Sequence, residues 1–284
     1  MLGFFRKKKK KGDDMSFLDH VEDLRWHLVR SAAVIMLFAA IAFMDDEIFG
    51  KDILFKMLLF GPIDKDFPTY TVLCNLSHQV GLGDALCFKD FNVPVTNFKM
   101  TGQFTLDMWA AFVAGLVIGF PYLLWELWRF VRPALKNNEM LAARGFLVSA
   151  SLLFFSGVLF GYFIVTPLAV YFLVHYKASG AIANIFDVNS YIDVVTMLVL
   201  VMGLIFELPI IIFFLTRFGL VTADFLKRNR RYALIVILIL AAVITPTTDV
   251  VTQMLVALPL WVLFEASIVV AKRVEKKMEA KQNA

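Results

Sequence analysis

The chain has 284 residues, 60% of them hydrophobic and only 18% charged, with a mean hydropathy of +0.73 and a formal net charge of +4. A soluble domain is nearer half apolar and a quarter charged, and here the apolar excess lies in long runs, the pattern of a polytopic membrane protein. Four His and two Cys leave little material for a metal centre. With no Gly-rich phosphate loop, no G-x-S-x-G and no H-E-x-x-H, neither hydrolase nor ATPase chemistry is expected, and no cofactor.

The first segment, MLGFFRKKKKKGDD (1–14), reads as a basic cytoplasmic tail attracted to anionic lipid headgroups. It leads into Gly12-Asp13-Asp14 instead of an apolar stretch, so it is not a secretory signal peptide. MSFLDHVEDLRWHLVR follows at 15–30, with a capping-box-like Ser16 and Asp19 and an apolar face of Phe17, Leu18, Val21, Leu24 and Leu28. Physics alone favours an amphipathic helix lying in the headgroups.

Six membrane spans are expected, at about 28–44, 108–130, 145–174, 192–215, 232–245 and 250–271. The fifth reaches only about 21 Å at 1.5 Å per residue, short of a hydrocarbon core of roughly 30 Å. A tight Pro246-Thr247-Thr248-Asp249 turn joins it to the sixth, so this edge should sit in thinned bilayer. Gly115 with Gly119 and Gly157 with Gly161 form two G-x-x-x-G pairs that permit close helix approach. Pro121, Pro167, Pro209 and Pro259 each fall in a different span, and each should bend its helix. The expected fold is therefore an all-α integral membrane protein whose bent helices form a curved, concave bundle.

Orientation follows from Lys and Arg. Twenty-two of the 28 lie on one side of this six-span scheme, before the first span, between the second and third, between the fourth and fifth, and after the sixth. Only six lie on the other side: five in the external segment 45–100, and Lys177. Both termini are then cytoplasmic, with 273–284 a second cytoplasmic tail. The external segment carries Cys74 and Cys87, and a disulfide is expected in an oxidising compartment.

Two acids fall inside spans, Glu207 in VMGLIFELPIIIFFL and Glu265 in WVLFEASI. A charge at a helix centre costs roughly 2.5–3.5 kcal/mol on insertion scales, so such residues usually face a protein interior or a wet cavity. One reading makes them proton carriers of a secondary transporter, although no internal repeat supports it.

The order of MSFLDHVEDLR, GPID, FPYLLWELWRFVRPALKNNE, FELP, ITPTTDVVTQ and LPLWVLFE resembles the TatC family of twin-arginine translocase subunits, over about 15–272. The resemblance implies a non-enzymatic receptor in the bacterial inner membrane for Arg-Arg signal peptides of folded substrates. It also implies single-span partner subunits of the TatA and TatB type, assembly with further copies of the chain, and export driven by the proton-motive force. Asp23, Arg25, Phe130 and Glu139 match the family's recognition positions. Where the family usually has glutamate this chain has Asp23 with Glu22 beside it, so either could meet the peptide. A carboxylate takes a guanidinium in two parallel hydrogen bonds, which lysine cannot reproduce. Pro62, Pro121, Glu207, Asp249 and Gln253 also fall on family positions, and Pro209 follows Glu207. Thr245 and Gln253 flank the short hairpin where the resemblance implies docking of a partner helix.

Overall fold

The computed structural model describes residues 17–44, 59–64, 67–79, 81, 83, 87, 95–131, 142–177, 179, 185–245 and 250–282. The first helix, α1 (Phe17–Met44), contains neither Gly nor Pro over 28 residues, so nothing in it interrupts the hydrogen-bond ladder. The separate headgroup helix expected at 15–30 therefore does not form: from Phe17 onward those residues are the opening turns of the first spanning helix. Ser31, Ile35 and Ala39, four apart, are buried, whereas Met36, Leu37 and Ile41 are exposed.

The segment between the first two spans has structure of its own. A 3-10 turn at Gly61–Ile63 and a helix α2 (Pro68–Gln79) are described there. A short strand β1 (Val95–Thr96) pairs in parallel with β2 (Phe186–Asp187). Cys74 of α2 and Cys87 are joined by a disulfide, with 4.4 Å between their Cα atoms. One buried phenol ties this segment together, and a second ties it to the helices. Tyr70 Oη donates to the carbonyl of Pro62 at 2.6 Å, and Tyr191 Oη to that of Leu59 at 2.7 Å. Burial pushes the Tyr70 phenol well above its ordinary pKa.

Next comes α3 (Gly102–Val131), which starts six residues before the expected span and continues through Pro121. The third crossing combines α4 (Ala142–Phe160), a π turn at Gly161–Val165 and α5 (Thr166–His175). Pro167 lacks an N–H, which leaves the Phe163 carbonyl without its helical donor. Thr69 Oγ1 of α2 donates to that carbonyl instead. A π turn precedes Pro167, whereas Pro209 follows a two-residue interruption: α6 (Val188–Ile205) stops, and α7 (Leu208–Arg217) starts with Pro209 in its first turn. Gly219, at φ +73°, ends α7 in a Schellman motif, with Leu220 N–H donating to Leu215 O at 2.9 Å and Gly219 N–H to Thr216 O at 3.0 Å.

A short α8 (Ala223–Arg228) is capped by Thr222, and Glu275 accepts a hydrogen bond from the Ala223 N–H at 2.8 Å. The helix α9 (Arg230–Ile244), on the expected fifth span, has 15 residues, or about 22 Å of rise. It is followed by α10 (Val250–Gln282), which runs eleven residues past the end of the expected sixth span. Five helical stretches are long and apolar enough to cross a membrane: Glu22–Met44, Gly102–Phe130, Leu147–His175, Val188–Arg217 and Gln253–Ala280. α9 falls below that length.

Both glycine pairs mark close helix contacts. A Cβ on Gly115 would lie 2.5 Å from the Ala39 backbone nitrogen, and one on Gly157 would lie 2.7 Å from the Met202 carbonyl. α1 therefore lies directly on α3, and α4 on α6. Further along, Phe120 and Leu124 of α3 pack with Ala150 and Phe154 of α4, while α5 and α6 share a core with α9 and α10. The exterior is apolar, with Ile118, Leu152, Met197 and Val243 exposed, whereas Glu126, Thr166, Thr196, Glu207 and Thr216 are buried. Large apolar side chains outside and acids within are what a bilayer solvent selects.

Candidate functional site

The register of α1 on α3 builds the first site. Gly115 meets Ala39 and Gly119 meets Ile35, so four steps along α3 match four steps back along α1. Continued by the same step, Phe130 falls level with Asp23 and Leu24. Glu22 and Arg25 are exposed there, and Asp23, His27 and Phe130 are half-buried. The fold thus gathers Glu22, Asp23, Arg25 and Phe130 at one end of one helix pair. Glu139 lies outside the described residues.

Beneath this group is an acid that the sequence reading did not single out. Glu126 of α3 is 1% exposed, yet each of its carboxylate oxygens has a donor. Tyr122 Oη donates to Oε1 at 2.9 Å, and His27 Nδ1 of α1 donates to Oε2. The Arg129 guanidinium lies 3.9 Å from Oε1 and 6.0 Å from the centre of the Trp125 ring. The His27 ring also meets the Phe130 ring edge-on, at 6.1 Å between centroids. One signal was available: in LLWELWRF an acid stands four residues before Phe130 in an apolar run. Its partner His27 is 99 positions away, and no local pattern connects them.

A second polar site lies at the break between α6 and α7. Glu207 occupies the helix-capping position of α7, with αR dihedrals, and is 6% exposed. Neither of its carboxylate oxygens has a hydrogen-bond partner among the described residues. Its neighbour Phe206 packs into the core shared with Ile237, Ala241, Val256 and Leu260 of α9 and α10. Thr245 and Gln253, at the far end of α9 and the start of α10, do not hydrogen-bond to it. The Thr245 hydroxyl is buried and donates to Ala241 O at 2.8 Å; Gln253 Nε2 donates to Leu238 O at 3.0 Å. Of this pair only Gln253 retains surface, and Asp249 lies outside the described residues. Pro62 is buried in its 3-10 turn, Pro121 sits within α3, and Pro209 opens α7.

Glu265 is not a midplane acid. It accepts from Arg230 Nη2 at 2.7 Å, and Arg230 is the first residue of α9. Because α9 and α10 run antiparallel, Glu265 lies level with the basic end of α9, where a cation meets its charge. The reading that paired it with Glu207 as a second deep proton carrier loses its geometric basis.

Fold and sites together define a multi-pass, all-α membrane protein whose polar side chains sit at a helix-pair end and a broken helix. The model of the Sec-independent protein translocase protein (TatC) family matches residues 19–259. A TatC protein from Blattabacterium sp. subsp. Periplaneta americana is 36% identical over 95% of this chain and 99% of its own length. One from Deinococcus radiodurans is 34% identical over 89% of this chain and 84% of its own length. A crystal structure of the twin arginine translocase receptor TatC superposes with a TM-score of 0.65 at 31% identity, covering 90% of this chain and 99% of that one. The chain belongs to the TatC family and is a protein translocase subunit.

Proposed function

We propose that the chain is the receptor subunit of a twin-arginine translocase in a bacterial inner membrane, with both termini in the cytoplasm and α9 as a short fifth crossing of six. It binds Arg-Arg signal peptides of folded proteins at the cytoplasmic ends of α1 and α3. Single-span subunits of the TatA and TatB type are then recruited, in a complex with further copies of the chain, and export draws on the proton-motive force. The observation that carries this reading is the register of α1 on α3, which brings Asp23 level with Phe130, with Glu22 exposed one residue before it. An acid beside an aromatic face suits a guanidinium twice over, through paired hydrogen bonds and stacking. Glu139 is the second carboxylate of the site, eight positions beyond the end of α3. The break at Glu207 serves as a polar notch for a partner helix, with Gln253 supplying a further polar contact.

The test is a titration of the purified protein in detergent with fluorescent signal peptides bearing Arg-Arg or Lys-Lys. The Arg-Arg peptide should bind at least about tenfold more tightly, since paired hydrogen bonds to a charged group are worth 1.5 kcal/mol or more. Equal affinities would refute the reading.

A further inference from the structure

We propose that Glu126 and His27 form a positioning lock for signal-peptide recognition: a buried carboxylate–imidazole pair that fixes the recognition end of α1 against that of α3. The inference rests on the proposed receptor reading and deepens it by naming residues that act through Phe130 and Asp23.

Recognition by paired hydrogen bonds demands that the carboxylate on α1 and the aromatic ring on α3 keep a fixed separation. Below the ends of the two helices, the glycine contacts at Gly115 and Gly119 hold them together, but these are van der Waals contacts about three and four turns from the site. Between those glycines and the site, the side-chain hydrogen bond described from α1 to α3 is that of His27 to Glu126. It lies one turn from both Phe130 and Asp23. A buried carboxylate that loses a donor is left uncompensated, so the pair holds its geometry more stringently than an apolar contact would. Tyr122 fixes the other oxygen, which leaves Oε2 aimed at α1. The His27 ring then transmits the constraint directly, since its edge rests on Phe130. Trp26 and Arg25, on the same turn, are exposed and unconstrained by that burial.

Three variants in the full-length protein decide the matter. His27→Ala deletes the Nδ1 donor and should weaken Arg-Arg peptide binding about tenfold. His27→Asn places an amide N–H near the Nδ1 position and should bind within about threefold of the parent. Glu126→Gln keeps volume and one acceptor but loses the charge; it should fall between them. The decisive readout is the ratio of Arg-Arg to Lys-Lys affinity. Loss of folded protein lowers both affinities alike and leaves the ratio intact, whereas loosened geometry collapses it toward one. A His27→Ala protein that keeps the parent's ratio overturns the proposal, as does a His27→Asn protein no better than His27→Ala.

Spin labels at Trp26→Cys and Leu127→Cys, both exposed, test the same lock without peptide. The distance distribution should be narrow with the pair intact, broad in His27→Ala and narrow again in His27→Asn. An unchanged distribution in His27→Ala overturns the lock. If the parent protein binds neither peptide while these distributions change as stated, the receptor reading fails and the lock stands.

Discussion

Replacing Gly115 by Ala should separate the two helices that carry the proposed recognition site. An ideal Cβ there would stand 2.5 Å from the Ala39 nitrogen and 2.8 Å from its Cα and Cβ. Ordinary carbon contacts are about 3.5–4.0 Å, so α1 must retreat by roughly 1 Å, and backbone atoms cannot rotate aside. Overpacking of this kind costs about 1–3 kcal/mol, against which Ala gains about 0.5–1 kcal/mol over Gly within a helix. The net expectation is a loss of about 0.5–2 kcal/mol. Gly145 supplies the control: it also lies in a helix, but a Cβ there meets nothing within 4 Å. Gly145→Ala should therefore keep only the gain. Unfolding of both variants in the same detergent measures the difference, and peptide titration should show Gly115→Ala weakened at the proposed site fifteen residues along α3. A Gly115→Ala protein as stable as Gly145→Ala would refute the reasoning that α1 and α3 touch backbone to backbone.

Glu139→Ala should reduce Arg-Arg peptide affinity about tenfold or more while changing Lys-Lys affinity much less, because only the guanidinium loses a paired contact; equal losses by titration would contradict it. Glu207→Ala should leave peptide affinity unchanged but abolish cross-linking to partner helices and export, since the carboxylate lies at the break in the fourth crossing and not at the peptide site. Replacing both Cys74 and Cys87 by Ser removes a link across 13 residues, worth about 3 kcal/mol on the chain-entropy account. Limited proteolysis should then cut the segment between the first two spans faster, with peptide affinity unaltered.

Much of the fold was legible because lipid imposes simple rules on a sequence. Apolar runs of about 20 residues and the short α9 could be read from length and composition alone. The glycine pairs also found their partners, since only a missing Cβ permits a helix backbone to approach so closely. What escaped depended on contacts between distant segments. Pro167 and Pro209 look alike as sequence, yet one follows a π turn and the other a break. Thr69 reaches across to the carbonyl freed at Phe163, whereas Ile205, the residue whose carbonyl Pro209 frees, ends its helix. Glu265 read as a deep acid until α9 was seen to start beside it with Arg230. The His27–Glu126 pair joins residues from two helices, and its imidazole carried no pattern of its own. Sequence could place the candidate recognition residues on α1 and α3, but only the helix register shows that they share a level.

Recognition of paired arginines should make the protein capture a folded substrate selectively. A folded reporter carrying an Arg-Arg signal peptide should co-purify with the membrane-extracted protein, and the same reporter with Lys-Lys should be captured at least about tenfold less. The preference should be lost in Glu139→Ala. Equal capture of the two reporters by the parent protein would contradict the account.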